Sequence, residues 1–227
     1  MIPIRDYIPT RRPPVMTTTL ITINILVFLF QFSLMTFGSL EPFIYSFGIV
    51  PYRLIHYFDL NAALTLVTSL FLHGGLLHIG SNLLYLWIFG NNIEDAMGPW
   101  RFMVFYLVCG ILAGLAEVVA TPNSTIPAIG ASGAIAGVLG AYFVLYPTAR
   151  VDTLLIVGFF AVVRALPAAV VLFFWFFLQL LNGVASFGIS RTGGIAWFAH
   201  IGGFISGLVL VHLFVHPPRR RRFQPRY

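Results

Sequence analysis

Six stretches of the chain, 18–37, 76–93, 101–119, 132–146, 166–183 and 197–215, are almost free of charged side chains and rich in Leu, Ile, Val and Phe. A helix rises about 1.5 Å per residue, so crossing a hydrocarbon core of about 30 Å takes about 20 residues. The pattern predicts an all-α membrane protein, a six-transmembrane-helix bundle over residues 17–216, preceded by a polar segment, 1–16, and followed by a basic tail, 217–227. Between the first two stretches, residues 38–75 carry Pro42, Pro51, Arg53 and Asp59 and an apolar run, 64–72, too short to cross; the expectation is an interfacial or partly embedded loop. The run 151–183 has the opposite problem, since one helix of that length would extend roughly 48 Å. Arg164 and Pro167 predict a surface segment first and the membrane helix after it. No internal repeat or second domain is visible.

Composition agrees with lipid as the solvent. With 59% hydrophobic and 9% charged residues and a mean hydropathy of +0.91, 227 residues cannot hide their apolar side chains in one soluble core. All basic residues are Arg; Arg5, Arg11 and Arg12 precede the first apolar stretch, and Arg219, Arg220, Arg221, Arg222 and Arg226 follow the last. Both termini are therefore expected on the cytoplasmic side, and an even number of crossings agrees. The net charge of +6 is terminal, which fits anionic lipid headgroups and argues against a nucleic-acid partner. Lone Cys109 excludes an intrachain disulfide or a cysteine metal cluster. The polar, proline-containing start lacks an apolar signal region, so the first apolar stretch is expected to be retained as a membrane helix.

Polar side chains in membrane helices are costly, so those that occur point to chemistry. His78 and Asn82 stand one helical turn apart in the second stretch. Ser132, in Gly130-Ala131-Ser132-Gly133, opens the fourth, and His200 lies near the start of the sixth. With the N-terminus inside, the second, fourth and sixth stretches all begin at the outer face, which brings the three groups to one level. The fourth is only about 14 residues, roughly 21 Å, so Ser132 is expected below the outer surface in a water-accessible depression. Gly133, Ala136, Gly137 and Gly140 face the fourth helix outward with small residues, and Gly203 and Gly207 do so on the face of His200. Close approach along these faces would let His200 take a proton from Ser132 as the hydroxyl attacks a carbonyl. The resulting oxyanion would be met by backbone N–H groups at Gly130 and Ala131, by the Asn82 amide and by a His78 ring nitrogen. Asp95 and Glu94 lie near the inner end of the second stretch and Glu117 near the outer end of the third, none in an obvious place as a third member, which predicts a dyad. Glu94 is expected to brace the inner loop, His212 and His216 to be interfacial, and His73 either to fix its loop or to line the cavity.

Other chemistries fit less well. A haem or metal carrier using His73, His78, His200 and His212 would not need Gly-Ala-Ser-Gly. A metalloprotease needs His-Glu-x-x-His, which is absent. A soluble serine hydrolase would want Gly-x-Ser-x-Gly, but residue 134 is Ala.

His78-x-x-x-Asn82, Gly130-Ala131-Ser132-Gly133 and Ala199-His200-x-x-Gly203-x-x-x-Gly207, in this order and spacing over nearly the whole chain, resemble the rhomboid intramembrane proteases. The resemblance implies an intramembrane serine endopeptidase of a bacterial-type inner cell membrane that needs no metal or cofactor. Its partners would be single-span membrane proteins, cut near the outer end of their transmembrane helix after entering near the fifth helix and residues 185–196. It also implies Ser132 as nucleophile, His200 as base, and His78 with Asn82 as oxyanion partners. Two features depart from relatives: an aromatic residue four positions after the serine is here Ala136, so another group must hold the His200 ring, and a Trp-Arg pair is absent from 38–75. The alternative is a rhomboid-like protein that binds membrane clients without cutting them; such a protein could lose Ser132 or His200, and both are present.

Overall fold

The computed structural model describes residues 1–158, 160–186 and 196–215. Each of the six apolar stretches is helical. The first is α1, Val15–Thr36, whose 22 residues extend about 33 Å. Its N-terminus has no side-chain cap of its own. Instead the Glu94 carboxylate accepts from the Met16 N–H at 2.9 Å and from the Thr17 N–H and hydroxyl, each at 2.8 Å. A carboxylate there satisfies orphan donors at the positive end of the helix dipole, so Glu94 holds the first turn of α1, where the inner loop was the expected partner.

Residues 38–75 are more ordered than a loop. They form α2, Leu40–Phe47, α3, Pro51–His56, and α4, Leu60–Thr68, the last capped by Asp59, whose side chain accepts from the Ala62 N–H at 2.6 Å. After a 3₁₀ turn at Ser69–Phe71 the chain bends by 80° into the helix Leu76–Met97. That helix comprises α5, Leu76–Tyr85, a π turn at Leu86–Gly90, and α6, Asn91–Met97. Gly98, at φ +83°, makes the sharp reversal into α7, Pro99–Ala120. Then follow α8, Ser132–Leu145, α9, Ala168–Ala185, and α10, Trp197–Phe214. Among the described residues, α1, α7, α9 and α10 are each long and apolar enough to cross a membrane; the helix Leu76–Met97 passes that test with its bent partner Leu60–Phe71, and α8 is shorter.

The all-α expectation needs correction at 151–165. Strands β1, Ile2–Asp6, β2, Arg150–Val157, and β3, Phe160–Pro167, form an antiparallel sheet in that order. Val151, Thr153, Ile156, Val162 and Val163 favour extended backbone, and Gly158, at φ +60°, turns the hairpin. Arg5 pairs with Asp152 across β1 and β2 at 3.0 Å. At the end of β1, the Asp6 carboxylate accepts from the Tyr142 hydroxyl at 2.7 Å and from the Asn92 amide, joining the N-terminal strand to α8 and α6. Burial pushes the Asp6 carboxyl above its ordinary range. Asp95 accepts from the N–H groups of Arg11 and Arg12. The tail 217–227 and His216 lie outside the described residues, as do residues 187–195 of the expected entrance.

The core is built round α8, in which every residue from Gly133 to Tyr142 is buried. Its glycines meet α10 backbone to backbone. A Cβ on Gly203 would fall on the Gly133 carbonyl oxygen, one on Gly207 on the Gly137 carbonyl oxygen, and one on Gly140 on the Phe204 carbonyl oxygen. On its other side α10 presses Gly202 against Ala116 of α7. Such small-residue seams are how helices approach in lipid, where apolar surface alone gives no drive to associate. Gly80, by contrast, lies in α5 with nothing within 4 Å of an added Cβ. Gly80→Ala should therefore gain roughly 0.5–1 kcal/mol of helix stability, whereas Gly207→Ala should cost about 1–3 kcal/mol or more through forced backbone separation. Thermal unfolding of the two variants in detergent, with midpoints moving in opposite directions, checks this contrast.

Candidate active site

Ser132 stands at the first residue of α8 because the chain turns sharply just before it. Gly130 has φ +125°, a region open to glycine, and a Cβ there would sit 2.7 Å from Nε2 of His78 and 3.5 Å from the Ser132 hydroxyl. Its N–H donates to the Ser69 carbonyl at 2.9 Å. The loop upstream is tied to the 38–75 region by a reciprocal pair between Ile49 and Ala128, at 3.0 and 2.7 Å, and by Tyr52 N–H to the Ser124 carbonyl at 2.9 Å. The helical segment after α1 thus clamps the serine loop.

His200 is placed by the opening of α10. The Glu117 carboxylate of α7 accepts from the N–H groups of Phe198 and Ala199 at 3.0 and 3.1 Å, which caps the helix and sets its rotation. With α10 so turned, Nε2 of His200 lies 2.7 Å from the Ser132 hydroxyl. The other ring nitrogen, Nδ1, lies 2.8 Å from Oε1 of Gln179 on α9. The Gln179 amide nitrogen donates to the Trp175 carbonyl at 3.3 Å, so its oxygen is the end that faces the imidazole. Nδ1 then carries the proton, and Nε2 presents a lone pair to the serine hydroxyl. The ring-holding role left open by Ala136 is taken by two tryptophans: Trp175 lies 5.8 Å away at 38°, and Trp197 meets the ring edge-on at 6.1 Å.

His78 and Asn82 line the same cavity as Ser132 and His200, a space of about 1080 Å³ that also touches Gln179 and Trp175. Nδ1 of His78 accepts from the Gly74 N–H at 3.2 Å, which leaves Nε2 as the protonated nitrogen on the side of Gly130. One Asn82 amide hydrogen donates to the His78 carbonyl at 3.0 Å, and the second is available to the cavity. His73 does not line this space. Its backbone makes a reciprocal pair with the Gln31 side chain, at 3.0 and 3.2 Å, and its buried ring packs edge-on to His78 at 5.1 Å. It therefore fixes its loop. The Gly130 N–H, expected to face the oxyanion, donates to the Ser69 carbonyl. Ala131 is buried directly before Ser132.

Sequence reasoning missed Gln179 and the two tryptophans. The signal was present: an amide in an apolar helix is costly, and Trp175 and Gln179 stand one turn apart on one face. What the pattern could not supply was the partner across the bundle.

Apolar helices that carry a hydrogen-bonded serine and histidine on the wall of a cavity define a multi-pass membrane protein with a candidate hydrolytic pair. The Rhomboid domain family matches residues 61–217, and the chain belongs to the rhomboid family. The Rhomboid protease GluP of Bacillus subtilis (strain 168) is 34% identical over 142 residues, covering 63% of this chain and 24% of that protein. Rhomboid-like protein 11, chloroplastic, of Arabidopsis thaliana is 30% identical over 167 residues, covering 69% and 54%. Inactive RHOMBOID-like protein 8 of Arabidopsis thaliana is 31% identical over 160 residues, covering 70% and 40%. The chain thus spans between about a quarter and about half the length of these curated relatives.

Gly130→Ala should force the serine turn away from His78. A displacement of about 1 Å at a reacting group costs on the order of 10²-fold in rate, so under the hydrolytic reading proposed below the variant should cleave that much more slowly while retaining its helix content by circular dichroism.

Proposed function

We propose that this chain is an intramembrane serine endopeptidase that cuts transmembrane segments of membrane protein substrates with Ser132 as nucleophile and His200 as general base. The observation that carries the reading is the 2.7 Å contact between the Ser132 hydroxyl and Nε2 of His200, on the wall of a cavity that also holds His78 and Asn82. His200 removes the hydroxyl proton as the serine oxygen attacks the scissile carbonyl. The carbonyl oxygen becomes an oxyanion, met by the second Asn82 amide hydrogen, by Nε2–H of His78 and by the N–H groups of Ala131 and Ser132 at the start of α8. Collapse breaks the C–N bond, and the proton held on Nε2 passes to the leaving amine. Water then enters the cavity and gives a proton to His200 as it attacks the acyl-serine; His200 returns that proton to the serine oxygen as the C–O bond breaks, releasing the acid and the free serine.

The substrates of this reading are single-span membrane proteins, unwound locally so that a peptide bond reaches Ser132. The membrane domain is 17–216, with six crossings, both termini cytoplasmic, and the cell membrane as its location. Kinship alone leaves open a protein that binds clients without cutting them, since one relative carries the name inactive. The hydrogen-bonded pair favours cleavage over that alternative.

In proteoliposomes with a single-span reporter, Ser132→Ala and His200→Ala should each abolish cleavage with the fold retained. Asn82→Ala should lower kcat by about 10²–10³-fold, the cost of one oxyanion donor, with little change in KM. Cleavage by purified Ser132→Ala protein at the wild-type rate would remove the mechanism.

A further inference from the structure

The Ser132–His200 pair does not end at His200. We propose that Gln179 is a third member of the site, a positioning residue that holds His200 in the tautomer able to accept the serine proton; this rests on the dyad reading above. Gln179 is 8% exposed and reaches the imidazole from α9, a different helix from those that carry the serine and the histidine. Both ends of its carboxamide are committed, the oxygen to Nδ1 of His200 at 2.8 Å and the nitrogen to the Trp175 carbonyl at 3.3 Å. A flipped amide would set its oxygen against the Trp175 carbonyl and lose that bond, and it could meet Nδ1 only as a donor to the tautomer protonated on Nε2. The oxygen therefore acts as a fixed acceptor that selects Nδ1–H and leaves the Nε2 lone pair for Ser132.

The approach is built into α9. Trp175, Gln179 and Gly183 recur every fourth residue on one face. A Cβ on Gly183 would lie 3.3 Å from Ile201 and 3.5 Å from Trp197, so the missing side chain lets α9 close on the first turns of α10. Trp175 packs on the same imidazole that Gln179 anchors. One stripe of α9 thus fixes the plane of the base, its position and its proton.

An amide differs from the carboxylate of serine triads, because it accepts the Nδ1 proton without adding a charge. Its contribution is orientation and tautomer selection. Without it the Nδ1–H loses its partner at a buried ring, and the tautomer with the proton on Nε2, which donates to the serine hydroxyl, gains population.

The test compares Gln179→Met, of similar length but lacking the acceptor, with Gln179→Glu, which keeps an acceptor at the same reach. Two quantities are read: kcat and KM on the single-span reporter, and the ¹⁵N shifts of the His200 ring in histidine-labelled protein. The proposal expects Gln179→Met to lower kcat by about 10- to 100-fold, as misorientation does, with KM within about twofold. It also expects His200 to move from one Nδ1–H tautomer to a mixture, and Gln179→Glu to restore both. Wild-type kcat and an unchanged tautomer in Gln179→Met would overturn it, as would a rise in KM alone, which would make Gln179 a substrate contact. Gln179→Leu repeats the comparison if the Met variant does not accumulate in the membrane. The ring shifts decide the proposal even if the wild-type protein cuts no reporter, so failure of the dyad reading and failure of the Gln179 assignment leave different signatures.

Discussion

The structure turns on the contact between the α8 and α10 backbones. Gly203 lies so close to Gly133, Gly207 to Gly137, and Gly140 to Phe204 that a Cβ on Gly203, Gly207 or Gly140 would fall on a carbonyl oxygen of the facing helix. In lipid such closeness replaces the hydrophobic drive that assembles soluble bundles. It also fixes the chemistry, because Ser132 and His200 sit at the same end of the two helices and neither side chain is long. A seam wider by one methyl group would carry the serine hydroxyl beyond hydrogen-bond reach of the imidazole. The Glu117 cap turns α10 to the required angle, and Gln179 and Trp175 approach the ring from α9.

The helix Leu76–Met97 connects this end of the bundle with the opposite one. Near its start it presents His78 and Asn82 to the cavity, and near its end Asn92, Glu94 and Asp95 bind the N-terminal segment and the first turn of α1. Asp6 reaches from β1 to the Tyr142 hydroxyl on α8. Both ends of the serine helix are thus held, by the Gly130 turn at one and by the Tyr142–Asp6–Asn92 group at the other. The polar contacts far from the cavity keep α8 from sliding along the glycine seam.

Much of this was legible in the sequence, because membrane helices announce themselves through long apolar runs and costly polar exceptions. The helix positions, the glycine faces and the convergence of Ser132, His200, His78 and Asn82 on one cavity followed from spacing. The sheet did not. Its hairpin is apolar on both faces, from Leu154 and Ile156 to Val162 and Val163, so the alternation that marks a strand is missing. The first strand, meanwhile, comes from a segment that reads as a polar terminus. The bend between Leu60–Phe71 and Leu76–Met97 depends on pairings with Gln31 and with the serine loop that lie far off in sequence. Gln179 and Glu117 were visible as polar residues in apolar surroundings, but their partners stand on other helices, and no local period encodes a contact between helices. Gly130 was read for its N–H, whereas its use is a positive φ and the space it leaves for His78.

The central claim is that His200 makes Ser132 a nucleophile. The most direct measurement is to treat the purified protein in detergent with a fluorophosphonate, a reagent that captures activated serines, and to locate the adduct by peptide mass spectrometry. The account predicts one phosphonylated serine, Ser132, in the wild-type chain and none in a chain carrying His200→Ala. An unlabelled Ser132 in folded wild-type protein, or equal labelling without His200, would contradict it.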